Sequence, residues 1–400
     1  MRHAARRLAT SFPPLALVLA LAGGADLTPD ASASGAPGPA AAVAPALTVY
    51  VGTYTGAGSR GIYRFTLDTT TGAASAPVLA GEAKNPSFLA LHPSGRFLYA
   101  VGETDSFDGK KTGAVSAFAI DPKTGDLTLL NQQASEGGGP CHLVVDRAGR
   151  NVLVANYGGG TVAVLPIGKD GRLAKASSVQ AHSGSGPNKG RQEKPHAHGT
   201  YLDASGRHAL APDLGADRVF VYRFDAGRGT LEPQGATPLE PGSGPRHLAF
   251  DPAGRHVYVI DELASTITVF GYDAAKGALQ TLQTVSTLPA GSSAANTAAE
   301  VALTPDGRWL YGSNRGHDSL ALFSVAADGR LTAAGHFPAG GRTPRHFAID
   351  PSGRWLLVAH QGSDSITIFR VDGATGRLSA AGPALPLSKP VCLLPVTLSR

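Results

Sequence analysis

Short runs of alternating apolar and polar residues follow one another from residue 47 onwards, separated by turns rich in Gly, Pro and Asp. Residues 85–134 show the pattern as one unit. Alternation with a period of two predicts β-strands, and Pro and Gly between the runs predict tight turns. We therefore predict four antiparallel strands in this unit, at residues 87–92, 97–101, 114–120 and 127–130.

A Gly-Arg turn that precedes an apolar run recurs six times along the chain. It occurs at Gly95-Arg96, Gly149-Arg150, Gly206-Arg207, Gly254-Arg255, Gly307-Arg308 and Gly353-Arg354. Successive turns are 54, 57, 48, 53 and 46 residues apart. A repeat of this length, with no helical pattern between the units, indicates the blades of a β-propeller rather than a solenoid of strands and helices.

The third strand of the unit can be recognised seven times, once more than the turn. It is predicted at residues 61–67, 114–120, 161–167, 218–224, 266–272, 319–325 and 365–371. The first of these follows a strand at residues 47–51 but lacks a first strand, which residues 390–396 can supply. We therefore predict an all-β, seven-bladed propeller of four-stranded antiparallel blades. The N- and C-terminal strands would close the ring in one shared blade, which removes exposed edges.

The N-terminus has the pattern of an export signal rather than of the propeller. Arg2, Arg6 and Arg7 precede an apolar run at residues 13–22, and small residues at 31–33 offer a cleavage site. The run is short for a membrane span, and no Cys lies near it for a lipid anchor. We predict a signal peptide at residues 1–33, a spacer rich in Ala and Pro at 34–46 and the propeller at 47–396. The protein would be periplasmic or extracellular without a stable membrane anchor, and either the general or the twin-arginine export route fits.

Charge and cysteine content narrow the classes of partner. The net charge of +5 is small and scattered, which argues against nucleic acid binding. Cys141 and Cys392 are the only cysteines, and they would begin first strands two blades apart. That separation exceeds the reach of a disulfide, so we predict free thiols. We expect a monomer with a small-molecule ligand.

Polar side chains collect on the face where first strands begin and second strands end. They are Asn85, Glu103, His142, Asn156, His196, His198, Asp213, Arg246, His247, Glu262, Glu300, Asn314, Arg315, Arg345, His346, His360 and Gln361. Convergent polar groups at the mouth of a propeller channel are typical of a ligand site. Solvated loop residues or salt bridges between blades are the alternative explanation.

Two short motifs allow more than one interpretation. His196 and His198 are two residues apart and could bind a metal, contact a substrate or serve the fold, but no third ligand is evident. Asp213 and Asp217 flank a tight loop, where hydrogen bonds that stabilise the turn are favoured over chemistry. No serine nucleophile elbow is present. We predict no metal and no cofactor.

Seven motifs together resemble the seven-bladed propeller lactonases, the family of propeller-type 6-phosphogluconolactonase and carboxymuconate cyclase. They are YVGTYT at 50–55, ANY at 155–157, RQEKPHAH at 191–198, DLGADR at 213–218, GPRH at 244–247, EL at 262–263 and SNRGHDS at 313–319. The resemblance covers residues 47–396. It implies lactone chemistry at the channel mouth without a metal, and it places the polar set of the family on His196 or His198, Arg246, Glu262 and Arg315.

Lactone hydrolysis requires a base that activates water and donors that stabilise an oxyanion. The candidate bases are Glu262, His196 and His198, and Arg246 and Arg315 would stabilise the charge or hold an anionic group. Loss of hydrolysis without loss of the fold is expected for Glu262→Gln and Arg315→Ala. Further residues expected to bind substrate are His142, Asn156, His247, Glu300, Arg345 and His346. Residues 182–194 form a polar loop that is either a lid over the mouth or a disordered insertion.

Three functions remain open at this point. The chain could be a 6-phosphogluconolactonase-like hydrolase, an exported hydrolase or cyclase acting on another lactone, or a non-catalytic binding propeller of the cell envelope. The predicted export favours the last two, because phosphorylated sugars are mostly intracellular. The combination of His196, Arg246, Glu262 and Arg315 favours the two enzymes.

Overall fold

The computed structural model describes residues 46–398, and this part of the chain contains 29 β-strands. The first fifteen are β1 Ala46–Thr53, β2 Gly61–Asp68, β3 Val78–Glu82, β4 Leu89–Leu91, β5 Phe97–Gly102, β6 Ala114–Ile120, β7 Leu127–Ala134, β8 Pro140–Val145, β9 Asn151–Asn156, β10 Thr161–Pro166, β11 Ser178–Ala181, β12 Tyr201–Leu202, β13 His208–Asp213, β14 Arg218–Asp225 and β15 Thr230–Pro238. The others are β16 Pro245–Phe250, β17 His256–Asp261, β18 Thr266–Asp273, β19 Ala278–Ser286, β20 Thr297–Leu303, β21 Trp309–Arg315, β22 Ser319–Val325, β23 Leu331–Pro338, β24 Pro344–Ile349, β25 Trp355–His360, β26 Ser365–Val371, β27 Leu378–Ala380, β28 Leu385–Pro386 and β29 Pro390–Val396.

These strands form seven antiparallel sheets, which confirms the predicted seven-bladed propeller. Six blades use consecutive strands, namely β4–β7, β8–β11, β12–β15, β16–β19, β20–β23 and β24–β27, with β28 pairing to β26. The remaining blade has the order β29-β1-β2-β3. The third strands predicted from the sequence correspond to β2, β6, β10, β14, β18, β22 and β26.

The shared blade joins the two ends of the propeller as the sequence predicts. β1 pairs with β29 in antiparallel register from Thr48 opposite Val396 to Thr53 opposite Pro390. On its other edge β1 pairs with β2, so β1 is paired on both edges. The predicted strand at residues 390–396 has the bounds of β29.

The six Gly-Arg turns connect first and second strands on the face opposite the predicted site. Their glycines have φ between 65° and 71°, a left-handed conformation that side chains with a Cβ rarely adopt. In the blade of β8, Asp146 also accepts a hydrogen bond from the backbone N–H of Arg150. The recurring glycine is therefore explained by the geometry of the turn.

The apolar core lies between neighbouring blades, and buried tyrosines link them. Tyr99 packs with Val152 and Val154 of the next blade. Its hydroxyl donates to the carbonyl of Gly171 at 2.9 Å. Equivalent bonds from second strands to a glycine carbonyl of the next blade are made by Tyr50, Tyr258 and Tyr311. Each hydroxyl thus gains a partner in an otherwise apolar interface, and the blades are fixed relative to one another.

Both cysteines are buried and free, in β8 and β29, as predicted. Within residues 46–398 no helix has the length and apolar character that a membrane crossing requires. The predicted signal peptide lies outside the described residues. So does the predicted spacer apart from Ala46, which begins β1.

Candidate active site

A cavity of about 330 Å³ opens on the face where first strands begin, and every blade contributes to its wall. It is lined by Tyr54, Glu103, Cys141, Tyr157, Arg191, His198, Glu262, Thr297, Arg315 and Arg345. The wall is largely polar and charged. This convergence makes it the candidate active site.

A recurring β-bulge explains how several side chains come to lie in or beside the cavity. The register of the first strand shifts between Pro140 and His142, between Pro245 and His247, and between Pro344 and His346. The extra residues are Cys141, Arg246 and Arg345. His198 has the equivalent place in the blade of β12, since Ala197 pairs with Asp213 as Pro140 pairs with Asn156. A bulge redirects a side chain, and here it separates each extra residue from the residue after it.

Glu262, which directly follows β17, is the centre of the charged groups. Its Oε1 accepts from Arg191 Nη2 at 2.6 Å, and its Oε2 lies 2.8 Å from Arg315 Nη2 and 3.1 Å from Arg246 Nε. Burial by itself would raise the pKa of Glu262. The three arginines outweigh burial and lower that pKa to about 2, so the carboxylate is ionised.

Arg246 and Arg315 hold Glu262 from two sides and are themselves fixed. Arg246 is buried and is not among the lining residues, and its Nη1 donates to the carbonyl of Ala299 at 2.6 Å. Arg315 lines the cavity and donates to the carbonyl of Ala298 at 3.0 Å. Burial lowers the pKa of Arg315 to about 10 although Glu262 opposes the shift, so the guanidinium keeps its charge at neutral pH.

The polar loop at residues 182–194 is anchored across the mouth. Arg191 donates to Glu262 and also to the Tyr157 hydroxyl at 3.2 Å. Gln192 is buried and donates to Asp217 Oδ1 at 2.7 Å. Lys194 Nζ donates to the carbonyl of Gly158 at 2.7 Å. These bonds favour a lid over a disordered insertion, and the loop brings a third arginine to Glu262.

The two histidines of the PHAH motif have different surroundings. His198 lines the cavity, with Nε2 3.9 Å from Glu262 Oε2 and Nδ1 3.6 Å from Cys141 Sγ. His196 instead stacks on the Tyr157 ring at 4.4 Å, and its nitrogens contact the Tyr157 carbonyl and Glu193. His196 is not among the residues that line the cavity. Within residues 46–398 no group of three or more His, Cys, Asp and Glu side chains is arranged to hold a metal ion.

The opposite wall of the cavity is formed by Tyr54, Glu103 and Arg345. The Tyr54 hydroxyl donates to both oxygens of Glu103, at 3.0 and 2.9 Å, and Ser87 Oγ also bonds to that carboxylate. The Arg345 guanidinium lies over the Tyr54 ring, 5.4 Å from its centroid. Burial opposes the charge of Arg345, but Tyr54, Glu103 and Glu262 raise its pKa, so it stays protonated.

Four further residues predicted to bind substrate form a layer beneath the cavity. His247 Nδ1 lies 2.8 Å from Glu300 Oε2, and His346 Nε2 lies 3.5 Å from the same oxygen. The His142 ring lies 5.2 Å from that of His247. Burial lowers the pKa of all three histidines and raises the pKa of Glu300. The layer is continuous with the site through His198, whose ring centroid lies 5.2 Å from that of His247.

Asn156 lies apart from both groups. Its Nδ2 donates to Thr161 Oγ1 of its own blade at 3.0 Å and to the carbonyl of Ser135, in the connection between β7 and β8, at 2.8 Å. Asp213 and Asp217 have the loop role that the sequence favours. Asp213 accepts from the backbone of His196 and Ala216, and Asp217 accepts from the backbone of Gly242 and Gly244.

The structure adds residues to the site that were not singled out as candidates. Tyr54 and Tyr157 occur in the motifs YVGTYT and ANY, which was their only signal. Arg191 occurs in the motif RQEKPHAH and in the predicted polar loop, but no periodic pattern connects it to Glu262. Thr297 carried no signal in the sequence.

The fold and site together define a β-propeller enzyme with an arginine-rich cavity suited to ester chemistry. The family described as "Lactonase, 7-bladed beta-propeller" matches residues 48–395, and the chain belongs to it.

Curated relatives and a solved structure agree with this assignment. The chain is 37% identical to the 6-phosphogluconolactonase of Bacillus subtilis, over 86% of this chain and 97% of that one. It is 35% identical to the 6-phosphogluconolactonase of Formosa agariphila, over 72% and 81%. The periplasmic gluconolactonase of Pseudomonas aeruginosa superposes with a TM-score of 0.83, at 34% identity over 88% of this chain and 100% of that one.

Proposed function

We propose that the chain hydrolyses a sugar lactone of the 6-phosphogluconolactone type at the channel mouth, without a metal ion. The observation that carries this proposal is one cavity that holds ionised Glu262, its arginines and His198. The two curated relatives named 6-phosphogluconolactonase support the same reaction type, since they match this chain over most of their length.

His198 is the better general base of the two candidates that line the cavity. Glu262 forms ion pairs with three arginines, which lower its pKa to about 2, so its carboxylate is a weak acceptor of a proton from water. Burial first, and then the charge of Arg246, lowers the pKa of His198 well below its usual value. The imidazole is therefore uncharged at neutral pH. Its Nε2 is too far from Glu262 for a direct hydrogen bond, so that lone pair is available to water.

The reaction then follows from the positions of these groups. A water molecule attacks the lactone carbonyl carbon and gives its proton to His198 Nε2, while Glu262 stabilises the imidazolium. Arg315, a fixed donor in the cavity wall, stabilises the oxyanion that forms on the carbonyl oxygen. The acyl carbon–oxygen bond of the ring breaks, and the leaving oxygen takes the proton back from His198. The product acid ionises and releases one proton per turnover.

Proton release provides the direct test. The purified protein is assayed in a pH-stat on 6-phosphogluconolactone and on unphosphorylated gluconolactone, with spontaneous hydrolysis subtracted. We expect turnover of the phosphorylated lactone. The variant Arg315→Ala, which removes the proposed oxyanion donor, should lose this activity. Its matched control is Arg330→Ala, which replaces an exposed arginine of a distant turn. Rates equal to the spontaneous rate on both lactones would reject the proposal in favour of a binding propeller.

Unphosphorylated gluconolactone is the second candidate substrate. The apolar run at residues 13–22 after three arginines favours an exported protein, and the similar Pseudomonas aeruginosa structure carries the name periplasmic gluconolactonase. We propose export on this basis. Turnover of gluconolactone at a rate comparable to the phosphorylated lactone would favour this candidate, and immunodetection in a periplasmic fraction would test the export.

A further inference from the structure

Arg345 differs from the other arginines of the site in its partners. Arg191, Arg246 and Arg315 each pair with Glu262. Among the described residues, the Arg345 guanidinium makes no ion pair with a carboxylate and no hydrogen bond, and it lies over the ring of Tyr54. It nevertheless lines the same cavity. Its N–H donors are thus available to a ligand.

The contacts of Tyr54 hold this arginine in place without neutralising it. Both oxygens of Glu103 accept from the Tyr54 hydroxyl, and Ser87 contacts the same carboxylate. The ring is therefore fixed, and a guanidinium over a fixed ring keeps the donors at its edge free. The strand bulge between Pro344 and His346 directs Arg345 to this position.

The charge of the cavity favours an anion at this end. Three arginines and two carboxylates line the cavity, and the buried Arg246 adds a fourth positive charge beside Glu262, so positive charge is in excess. A cation removed from water without an ionic partner is unfavourable, and a ligand anion would relieve that cost. Planar guanidinium donors bind phosphate and carboxylate groups with two parallel hydrogen bonds.

We propose that Arg345 binds the anionic group of the substrate and so determines the preference for a charged lactone over a neutral one. The inference rests on the proposed lactone hydrolysis and adds the residue that recognises the charge. Glu262, Arg315 and His198 act on the reacting carbonyl, whereas Arg345 acts at the far end of the lactone, above Tyr54. Arg345 is therefore a residue for specificity and not for the chemical step.

The test uses Arg345→Gln, with Arg342→Gln as the matched control. Arg342 is an exposed arginine three residues earlier, which donates to the Gly362 carbonyl. For Arg345→Gln we expect KM for 6-phosphogluconolactone to rise about 10- to 100-fold, the usual effect of a lost charge-assisted contact, with kcat little changed. Kinetics on gluconolactone should not change, and Arg342→Gln should match the wild type. An equal loss on both lactones would overturn the proposal.

Direct binding separates this proposal from the proposed reaction. 6-Phosphogluconate, the expected product, is titrated calorimetrically into the wild type, Arg345→Gln and Arg345→Lys, after thermal unfolding has shown that each is folded. Weaker binding by Arg345→Gln with partial retention in Arg345→Lys supports the anion site even if the wild type shows no turnover. Equal affinities in all three proteins, or no binding to the wild type, would overturn it.

Discussion

At the scale of the residue, one buried carboxylate organises the site. Glu262 forms ion pairs with three arginines that reach it from a loop, from a bulge and from the end of β21. Arg246 and Arg315 need this partner, because burying a guanidinium without compensation costs several kcal/mol. Glu262 is thus required for the position of the donors as well as for the charge of the site.

Replacing Glu262 by Gln should affect activity and stability together. The variant leaves three arginines without their anion, and we expect kcat/KM to fall by about 100-fold or more and the protein to lose about 3–5 kcal/mol of stability. This differs from the sequence expectation of an intact fold, because the ion pairs with Arg246 and Arg315 are buried. Lactone kinetics and urea unfolding measure both effects, with the exposed Glu240→Gln as control. Unchanged unfolding would contradict the organising role.

Glu262 should make the stability of the protein depend on pH. Its pKa is lowered in the folded protein to about 2, so its contribution to stability is present above the unfolded value near 4.5. That contribution is lost as pH falls from there through the folded pKa.

His198 should determine the acid limb of the rate profile. Its pKa lies well below 6.5, so the base is uncharged at neutral pH and the rate should be constant there and fall only in acid. His198→Gln should lower kcat by about 100- to 10,000-fold and remove that acid limb. The control is His336→Gln, on β23. A variant that kept the wild-type profile would exclude His198 as the base.

At the scale of the element, the bulge at the start of the first strand arranges the site in two layers. The extra residue of each bulge belongs to the upper layer, in or beside the cavity, as Arg246 and Arg345 do. The residue that follows belongs to the lower layer, where His247 and His346 share Glu300. Arg345 and His346, which are adjacent in the sequence and were both predicted to bind substrate, therefore have different surroundings.

The loop at residues 182–194 allows a prediction at the same scale. Arg191→Met removes the link between this loop and Glu262, and the partly exposed ion pair should contribute about 1 kcal/mol or less, so we expect kcat/KM to fall by less than about tenfold. Amide hydrogen exchange in the loop should become faster. Lys189→Met, an exposed change in the same loop, should alter neither. Exchange as slow as in the wild type would show that Gln192 and Lys194 hold the loop without Arg191.

At the scale of the whole molecule, stability depends on closing the ring. β29 pairs along β1 and buries Val391, Leu393 and Val396. Burial of such side chains contributes about 1.5–3 kcal/mol each, a large part of the net stability of a domain. β29 also donates the Leu393 N–H to His346 Nδ1 at 3.2 Å, so closure reaches the layer beneath the cavity.

Deleting residues 390–400 should therefore prevent a soluble, cooperatively folded protein. The deletion exposes the inner edge of β1 and the apolar residues that β29 covers. Circular dichroism during heating and the soluble fraction after expression measure the effect. A deletion of residues 399–400 alone, which leaves β29 intact, is the control. A cooperative transition at the wild-type temperature in the longer deletion would contradict the importance of closure.

The sequence by itself determined the number of blades, their strands and the closing strand, because period-two alternation and turn glycines are local signals that repeat. It also determined the face of the site, since strand direction alternates predictably. It could not separate His196 from His198, place Arg191 on Glu262, or show that His247 lies beneath Arg246. Only the tertiary structure decided these points, because they depend on bulge geometry, on the path of one loop and on contacts between blades that are distant in the chain.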